Sequence, residues 1–315
     1  MVRLRMATAM VALVSAMLAL TSAEGGARPL PRAADCPIFP RSSQWNQRVD
    51  RLLTHPRSGA MVRAIGAGSR AHADFGSGTW DGGPIGIPFV VVGSRQRRVP
   101  VSFDYADESD RGRYPIPRSA PVEGGRNADR HVIVVDRSRC VLHELYAAYP
   151  RDGGRRWQAG SGARWSLRSN SLRPRGWTSA DAAGLPILPG LARYDEVRRG
   201  RIDHALRITV PRTRRAFVYP ARHFASALTD PALPAMGQRI RLRQSFDASR
   251  FPPQARVILR ALKAYGALVA DNGSAWYVSG APSPGWDDDD LHSLGRVRGS
   301  DFEVVDTAGL PRPRR

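Results

Sequence analysis

The chain has 315 residues, with 48 lysines and arginines against 28 aspartates and glutamates, a net charge of +20, 42% hydrophobic residues and 24% charged residues. That balance excludes intrinsic disorder and leaves enough chain for one large domain or two ordinary ones. Its 30 glycines and 25 prolines are more turn punctuation than a helical bundle tolerates, which argues against an all-α fold.

Arg3 and Arg5 precede an apolar run over 6–20, and Thr21-Ser22-Ala23 supplies small residues where a signal peptidase reads. The pattern predicts a secretory signal peptide over 1–23, cut after Ala23. The run is shorter than the roughly 20 residues a membrane-spanning helix needs, so a secreted, extracellular product with no membrane span is expected. Residues 24–35 are Gly/Pro/Arg-rich, lack periodicity and read as a linker; a single secreted domain, with room for two lobes, is expected over 36–306, and a tail over 307–315. The two cysteines, Cys36 and Cys140, read as one disulfide in an oxidising compartment that pins the mature N-terminus to the centre of the chain. The alternative, free thiols or a metal pair, lacks a C-x-x-C spacing or a nearby His.

Apolar, β-branched runs then recur between turn signals at 87–92, 99–103, 131–135, 141–146, 202–210 and 216–219, and these predict strands. The segment 131–149 predicts a hairpin turned at 137–139. A second hairpin is predicted from 267–270 and 274–278, which flank Asp271-Asn272-Gly273 with its Asn-Gly turn signal. Over about 252–266, Pro252-Pro253 suits a first turn, Val257, Ile258, Ala261, Leu262 and Tyr265 fall at helical spacing, and Gly266 is a stop, so one amphipathic helix is predicted. Shorter helical turns are expected after Ser179 and over 191–199. The predicted fold is mainly β, a β-sandwich or jelly-roll-like architecture with that one helix and long structured loops, the longest at 106–129.

Most catalytic motifs are absent. Ala73-Asp74-Phe75-Gly76 lacks the other kinase elements, His143-Glu144 lacks a second His four residues on, and no Ser sits in a nucleophile elbow. Asp287 to Asp290 lack the alternating spacing of a calcium loop and read as a helix N-terminus or solvated turn; no metal and no cofactor is expected. What remains are clusters of acid, His and Arg: Asp104, Asp107, Glu108 and Asp110; Asp195-Glu196 with Asp203, His204 and Arg207; Arg222-His223; and Asp129-Arg130-His131. Strand alternation puts His204 among apolar residues and Arg207 on the other face, where an ion pair is expected. Tryptophans Trp80, Trp157, Trp165, Trp177, Trp276 and Trp286 sit beside small or polar residues, which suggests that some are exposed as platforms for sugar rings.

The strings Trp80-Asp81-Gly82-Gly83-Pro84-Ile85-Gly86-Ile87-Pro88, 176–186 (GWTSADAAGLP) and Ile202-Asp203-His204-Ala205-Leu206-Arg207 resemble a group of secreted bacterial proteins, many of them actinobacterial. The resemblance covers about 36–306. It implies one continuous secreted domain and carries no catalytic assignment.

Secretion, a β-rich scaffold, tryptophans and acid/His/Arg clusters together point to an extracellular polysaccharide-active enzyme, a glycoside hydrolase ahead of a uronate lyase. The alternative is a non-catalytic cell-wall or matrix glycan-binding protein. Catalytic candidates are Asp104, Glu108, Asp195, Glu196, His204 and His223, and substrate-binding candidates are Arg207, Arg222, Trp80 and Trp177. The basic balance favours an acidic polysaccharide as the partner. Nucleic acid is not expected, because Lys263 is the only lysine and the arginines are scattered rather than gathered in one stripe.

Overall fold

The β-branched runs become strands. The computed structural model describes residues 26–312; the predicted signal peptide lies outside them. In chain order the strands are β1 (His72–Asp74), β2 (Thr79–Trp80), β3 (Gly83–Pro84), β4 (Phe89–Val92), β5 (Val99–Phe103), β6 (Arg113–Tyr114), β7 (Val132–Asp136), β8 (Val141–Tyr146), β9 (Tyr149–Arg151), β10 (Arg156–Ala159), β11 (Ser161–Ser166), β12 (Leu206–Val210), β13 (Arg239–Leu242), β14 (Ala267–Asn272), β15 (Tyr277–Ser279) and β16 (Phe302–Val304). The α-helices are α1 (Ser58–Ile65), α2 (Tyr194–Val197), α3 (Pro253–Ala264) and α4 (Asp288–His292). Strands dominate and helices are few, as the sequence predicts.

They assemble into a six-stranded sheet ordered β1-β15-β12-β14-β13-β16, two four-stranded sheets ordered β6-β5-β10-β9 and β11-β8-β7-β4, and the β2–β3 hairpin. Every residue of β7 is buried because the strand is covered on both faces, which is why its sequence is a continuous apolar run rather than an alternating one. Val132 and Val134 face an apolar layer shared with Val99, Trp157 and Ala159 of the neighbouring four-stranded sheet. Ile133 and Val135 face a second layer that holds Leu30, Ile38 and the Cys36–Cys140 disulfide. The predicted β7–β8 hairpin forms, with Asp136 opposite Val141 and the Asp136 carboxylate accepting from Ser138 N at 3.1 Å to close the turn.

Five expectations are corrected. Leu30 and Ala33 are buried, so packed chain begins inside the predicted linker, held down by the disulfide. The pairs β4–β7 and β5–β10 are parallel, unlike the all-antiparallel strands of a jelly roll. The predicted hairpin at 267–278 does not close: β12 lies between β14 and β15, parallel to the first and antiparallel to the second, because Leu206, Ile208 and Val210 need a fully buried place in the middle of the sheet. Residues 216–219 contribute one isolated bridge, Phe217 with Met236, rather than a strand, and the turn after Ser179 is not helical.

The helices α1, α3 and α4 cover one face of the six-stranded sheet through a single apolar cluster that includes Met61, Ile258, Leu262 and Leu291. The amphipathic helix α3 falls inside its predicted bounds. Its first turn is capped from outside by Asp290, which accepts from Gln254 N and Ala255 N at 2.7 Å each, while Asp287 caps α4 by accepting from Asp290 N at 3.0 Å. The acidic run is thus a pair of helix caps. Most of the tryptophans fill cores. Trp157, Trp165, Trp276 and Trp286 are buried, Trp177 is half-buried, and Trp80 is 78% exposed.

Candidate functional site

The other face of the six-stranded sheet carries a polar row. Alternation sends Leu206, Ile208, Val278 and Val269 into the core and leaves Asp74, Ser279 and Arg207 on the other face. Asp74 is in register with Ser279, and Ser279 Oγ accepts from Arg207 Nη1 at 2.8 Å. A β-bulge completes the row. Arg207 pairs with Leu268 and Ile208 with Val269, but Thr209 pairs with Asp271. The one extra residue in β14 switches the parity of the strand, so Asp271 lands on the Arg207 face instead of in the core.

Arg207 is nearly buried and is saturated by carboxylates. Its Nε and Nη2 donate to the two oxygens of Asp181 at 3.2 and 3.1 Å, and Nη2 also reaches Asp271 at 3.3 Å. Burial works against the guanidinium charge, but Asp181 and Asp271 override it and raise its pKa. Two carboxylates thus share one cation. Burial pushes Asp271 up to about 6, with Arg207 opposing and Asp181 and Asp129 adding to the rise. Asp181 is pushed up by burial and held back by Arg207.

The second wall comes from the two four-stranded sheets and the long loop before β7. His131, buried at the mouth of β7, faces Glu123 through Nδ1 and Ala180 O through Nε2 at 2.9 Å. Since a carbonyl only accepts and the Glu123 carboxylate favours charge, the ring suits the imidazolium form; burial lowers its pKa, Glu123 overrides that, and it stands at about 9. Behind it Glu144 is wholly enclosed and accepts from Ile187 N and Leu188 N at 3.0 and 2.9 Å, with burial pushing it to about 7. Ser161 Oγ donates to Ser179 O at 2.6 Å, which ties the loop bearing Asp181 to β11.

Between the walls lie two cavities that meet at Asp129. One, of about 460 Å³, is bordered by Glu108, Asp129, Tyr146, Asp181, His223 and Asp271. The other, of about 790 Å³, is bordered by His72, Asp74, Trp80, Glu123, Asp129 and Tyr277. The Asp129 carboxylate is exposed and has no hydrogen-bond partner among the described residues. His223 Nδ1 donates to Ala182 O at 2.8 Å, which leaves Nε2 for a ligand. Burial, with Asp129 and Asp271 adding, raises the Tyr146 phenol, and burial raises Asp74. Among the described residues no group of three or more His, Cys, Asp or Glu is arranged to hold a metal ion.

Of the residues singled out from sequence, Glu108, His223, Arg207 and Trp80 meet at this groove. Glu108 accepts from Thr178 N at 2.8 Å. The others lie elsewhere. Glu196 and His204 are fully buried in a network with Arg193, the His204 Nε2 to Glu196 distance being 3.0 Å and the Arg193 to Glu196 distance 2.9 Å, and His204 Nδ1 donates to Ala205 O. That closed network corrects the catalytic expectation for both residues, because no solvent or substrate reaches them. Asp195 pairs with Arg193 and Arg199, and Asp104 is an exposed acceptor for Gln158. Arg222 donates to Arg173 O, and Trp177 lies under the Arg173 guanidinium; neither borders the two cavities. Sequence reasoning placed Asp129 in an acid/His/Arg cluster without giving it a role, and did not select Asp271, Asp74, Asp181 or Tyr146. The available signals were the lone acid closing the apolar run of β14 and the acid before β7.

The chain matches no protein-family model, no curated protein and no solved structure.

Proposed function

We propose that the protein is a secreted glycoside hydrolase acting on a neutral extracellular polysaccharide, with Asp271 as general acid and Asp129 as the partner carboxylate. The observation that carries this reading is a contrast among the four carboxyl groups that border one cavity: Asp271 is tied to Arg207 and shielded, whereas Asp129 is exposed and has no hydrogen-bond partner among the described residues. A carboxyl whose surroundings favour its neutral form is suited to act as the proton donor. Asp271, standing at about 6, delivers its proton to the glycosidic oxygen as the bond to the anomeric carbon breaks. Asp129 stabilises the positive charge that develops there, and water completes the hydrolysis. Arg207 sets the acidity of Asp271 rather than touching substrate.

A uronate lyase fits less well. That chemistry calls on an arginine to neutralise the substrate carboxylate, whereas Arg207 is already engaged by Asp181, Asp271 and Ser279. Glu108, Asp74, Glu123, Asp129, Asp181, Asp271 and Asp288 all border the groove and repel a polyanion, so the acidic polymer suggested by the net charge gives way to a neutral one. The disulfide and the predicted leader support the secreted location, and the two four-stranded sheets sharing one apolar layer support a sandwich for that part of the fold. Reducing-end release from a panel of neutral and uronic polysaccharides tests the reading. Turnover of a neutral polymer is expected; unsaturated products would turn the assignment to a lyase, and binding without turnover would favour the glycan-binding alternative.

A further inference from the structure

We propose that the groove takes a polymer lengthwise, with sugar units bound on both sides of Asp129 and Trp80 as the platform at the far end, so that cleavage is internal to the chain. This rests on the hydrolytic reading and adds the form of the substrate. Each cavity by itself lies within the roughly 300–1,000 Å³ of a small-molecule site, and the two meet at Asp129. A site for single sugars or chain ends would be closed on one side of its catalytic carboxylates. Here Asp129 borders both spaces, with Asp271 in the lining of one and Trp80 of the β2–β3 hairpin in the lining of the other.

The two sides differ in chemistry as a polymer groove requires. The smaller cavity holds the proposed proton donor Asp271 together with Tyr146 and His223. The larger one holds flat rings, Trp80, Tyr277 and His72, the last two in contact at a tilt of 34° with centroids 4.4 Å apart. Trp80 is 78% exposed, and its hairpin packs closely against the chain beneath it. Its hairpin turns at Asp81 and Gly82, both at positive φ as the tightest hairpin turn needs. Gly83 lies so close to Gly124 that a Cβ would come within 2.4 Å of its carbonyl oxygen, and a Cβ on Gly125 would come within 2.0 Å of Asp81 O. The hairpin is therefore clamped, backbone to backbone, onto the loop that carries Glu123 and Asp129. An exposed indole on a hairpin packed against the loop of the reacting carboxylate buries little of its own surface against this chain and suits the face of a sugar ring.

The test combines binding and cleavage. In the Asp271→Asn protein, calorimetric titration with cello-, xylo- and manno-oligosaccharides from disaccharide to hexasaccharide reads chain binding without turnover. Affinity is expected to rise with length, and Trp80→Ala in that background is expected to weaken the hexasaccharide by about tenfold while leaving the disaccharide unchanged. In the active protein, solution viscosity is expected to fall ahead of reducing-end release, with oligosaccharides as first products. Length-independent affinity, release of monosaccharide from chain ends, or equal effects of Trp80→Ala on short and long ligands would overturn the proposal. If no neutral polymer is cleaved, the hydrolytic reading falls, and the length series still decides whether a chain occupies both cavities.

Discussion

Replacing Arg207 by methionine removes the guanidinium that bridges Asp181 and Asp271 while keeping an unbranched apolar stem of similar length. Asp181 is wholly buried and Arg207 nearly so, so the change leaves an enclosed carboxylate without its counter-ion. Breaking a buried pair from one side costs about 3–5 kcal/mol. At about 2–4 °C per kcal/mol for a domain of this order of size, the melting temperature is expected to fall by about 10 °C. The deficit has a definite pH dependence. Burial already raises both carboxyls, and loss of Arg207 raises them further above the roughly 3.9 of an unfolded aspartate. A carboxyl whose folded value is raised contributes less stability as pH climbs through that value. The gap between variant and wild type should therefore be small near about pH 4 and widest above the value of about 6 at which Asp271 stands in the wild type. Adding Asp181→Asn to the variant should recover part of the loss. Thermal melts followed by far-ultraviolet circular dichroism across that range measure all of this. A variant that melts with the wild type, or one whose deficit grows toward acid, would refute the account of the pair.

Opening the disulfide by Cys36→Ser with Cys140→Ser releases a link across 104 positions; a loss of up to about 4.7 kcal/mol is expected, and unchanged melting would show that the N-terminal segment is held by packing alone. His131 stands at about 9 because of Glu123, above the roughly 6.5 of an unfolded histidine, so the wild type should lose stability as pH rises between those values. Glu123→Gln should flatten that slope, and an identical slope in both proteins would contradict the pairing. His204→Ala should lower the melting temperature, because Glu196 Oε2 loses its buried partner and keeps only the Arg193 pairing on its other oxygen. A variant of His204 that melts normally but is inactive would return the residue to catalysis.

How much of this was legible follows from range. Helix α3 and the β7–β8 hairpin are local patterns, and both form where spacing and turn residues place them. The disulfide followed from there being one possible pair. The ion pairing of Arg207 followed from a charged residue alternating with Leu206 and Ile208, since a guanidinium beside a core needs an anion. The insertion of β12 between β14 and β15 is non-local, and the Asn-Gly signal at 272–273 pointed to the nearer partner. The site itself was hidden because its carboxyls are single residues far apart in sequence, joined by a bulge in β14 and a long loop, while the dense acidic clusters that drew attention are largely surface pairs and caps. Tryptophans beside glycine and serine were misread because small neighbours are also what lets an indole pack inside.

The central claim is that Asp271 gives the proton and Asp129 meets the charge in one groove. Reducing-end release by wild type, Asp271→Asn and Asp129→Asn on the best neutral polysaccharide, followed across pH, tests it most directly. Wild-type activity is expected to fall as pH rises through about 6, where Asp271 loses its proton, and each substitution is expected to lower turnover by about 10²–10⁴-fold without lowering the melting temperature by more than a few degrees. Asparagine variants that keep wild-type turnover and the same pH profile would contradict it.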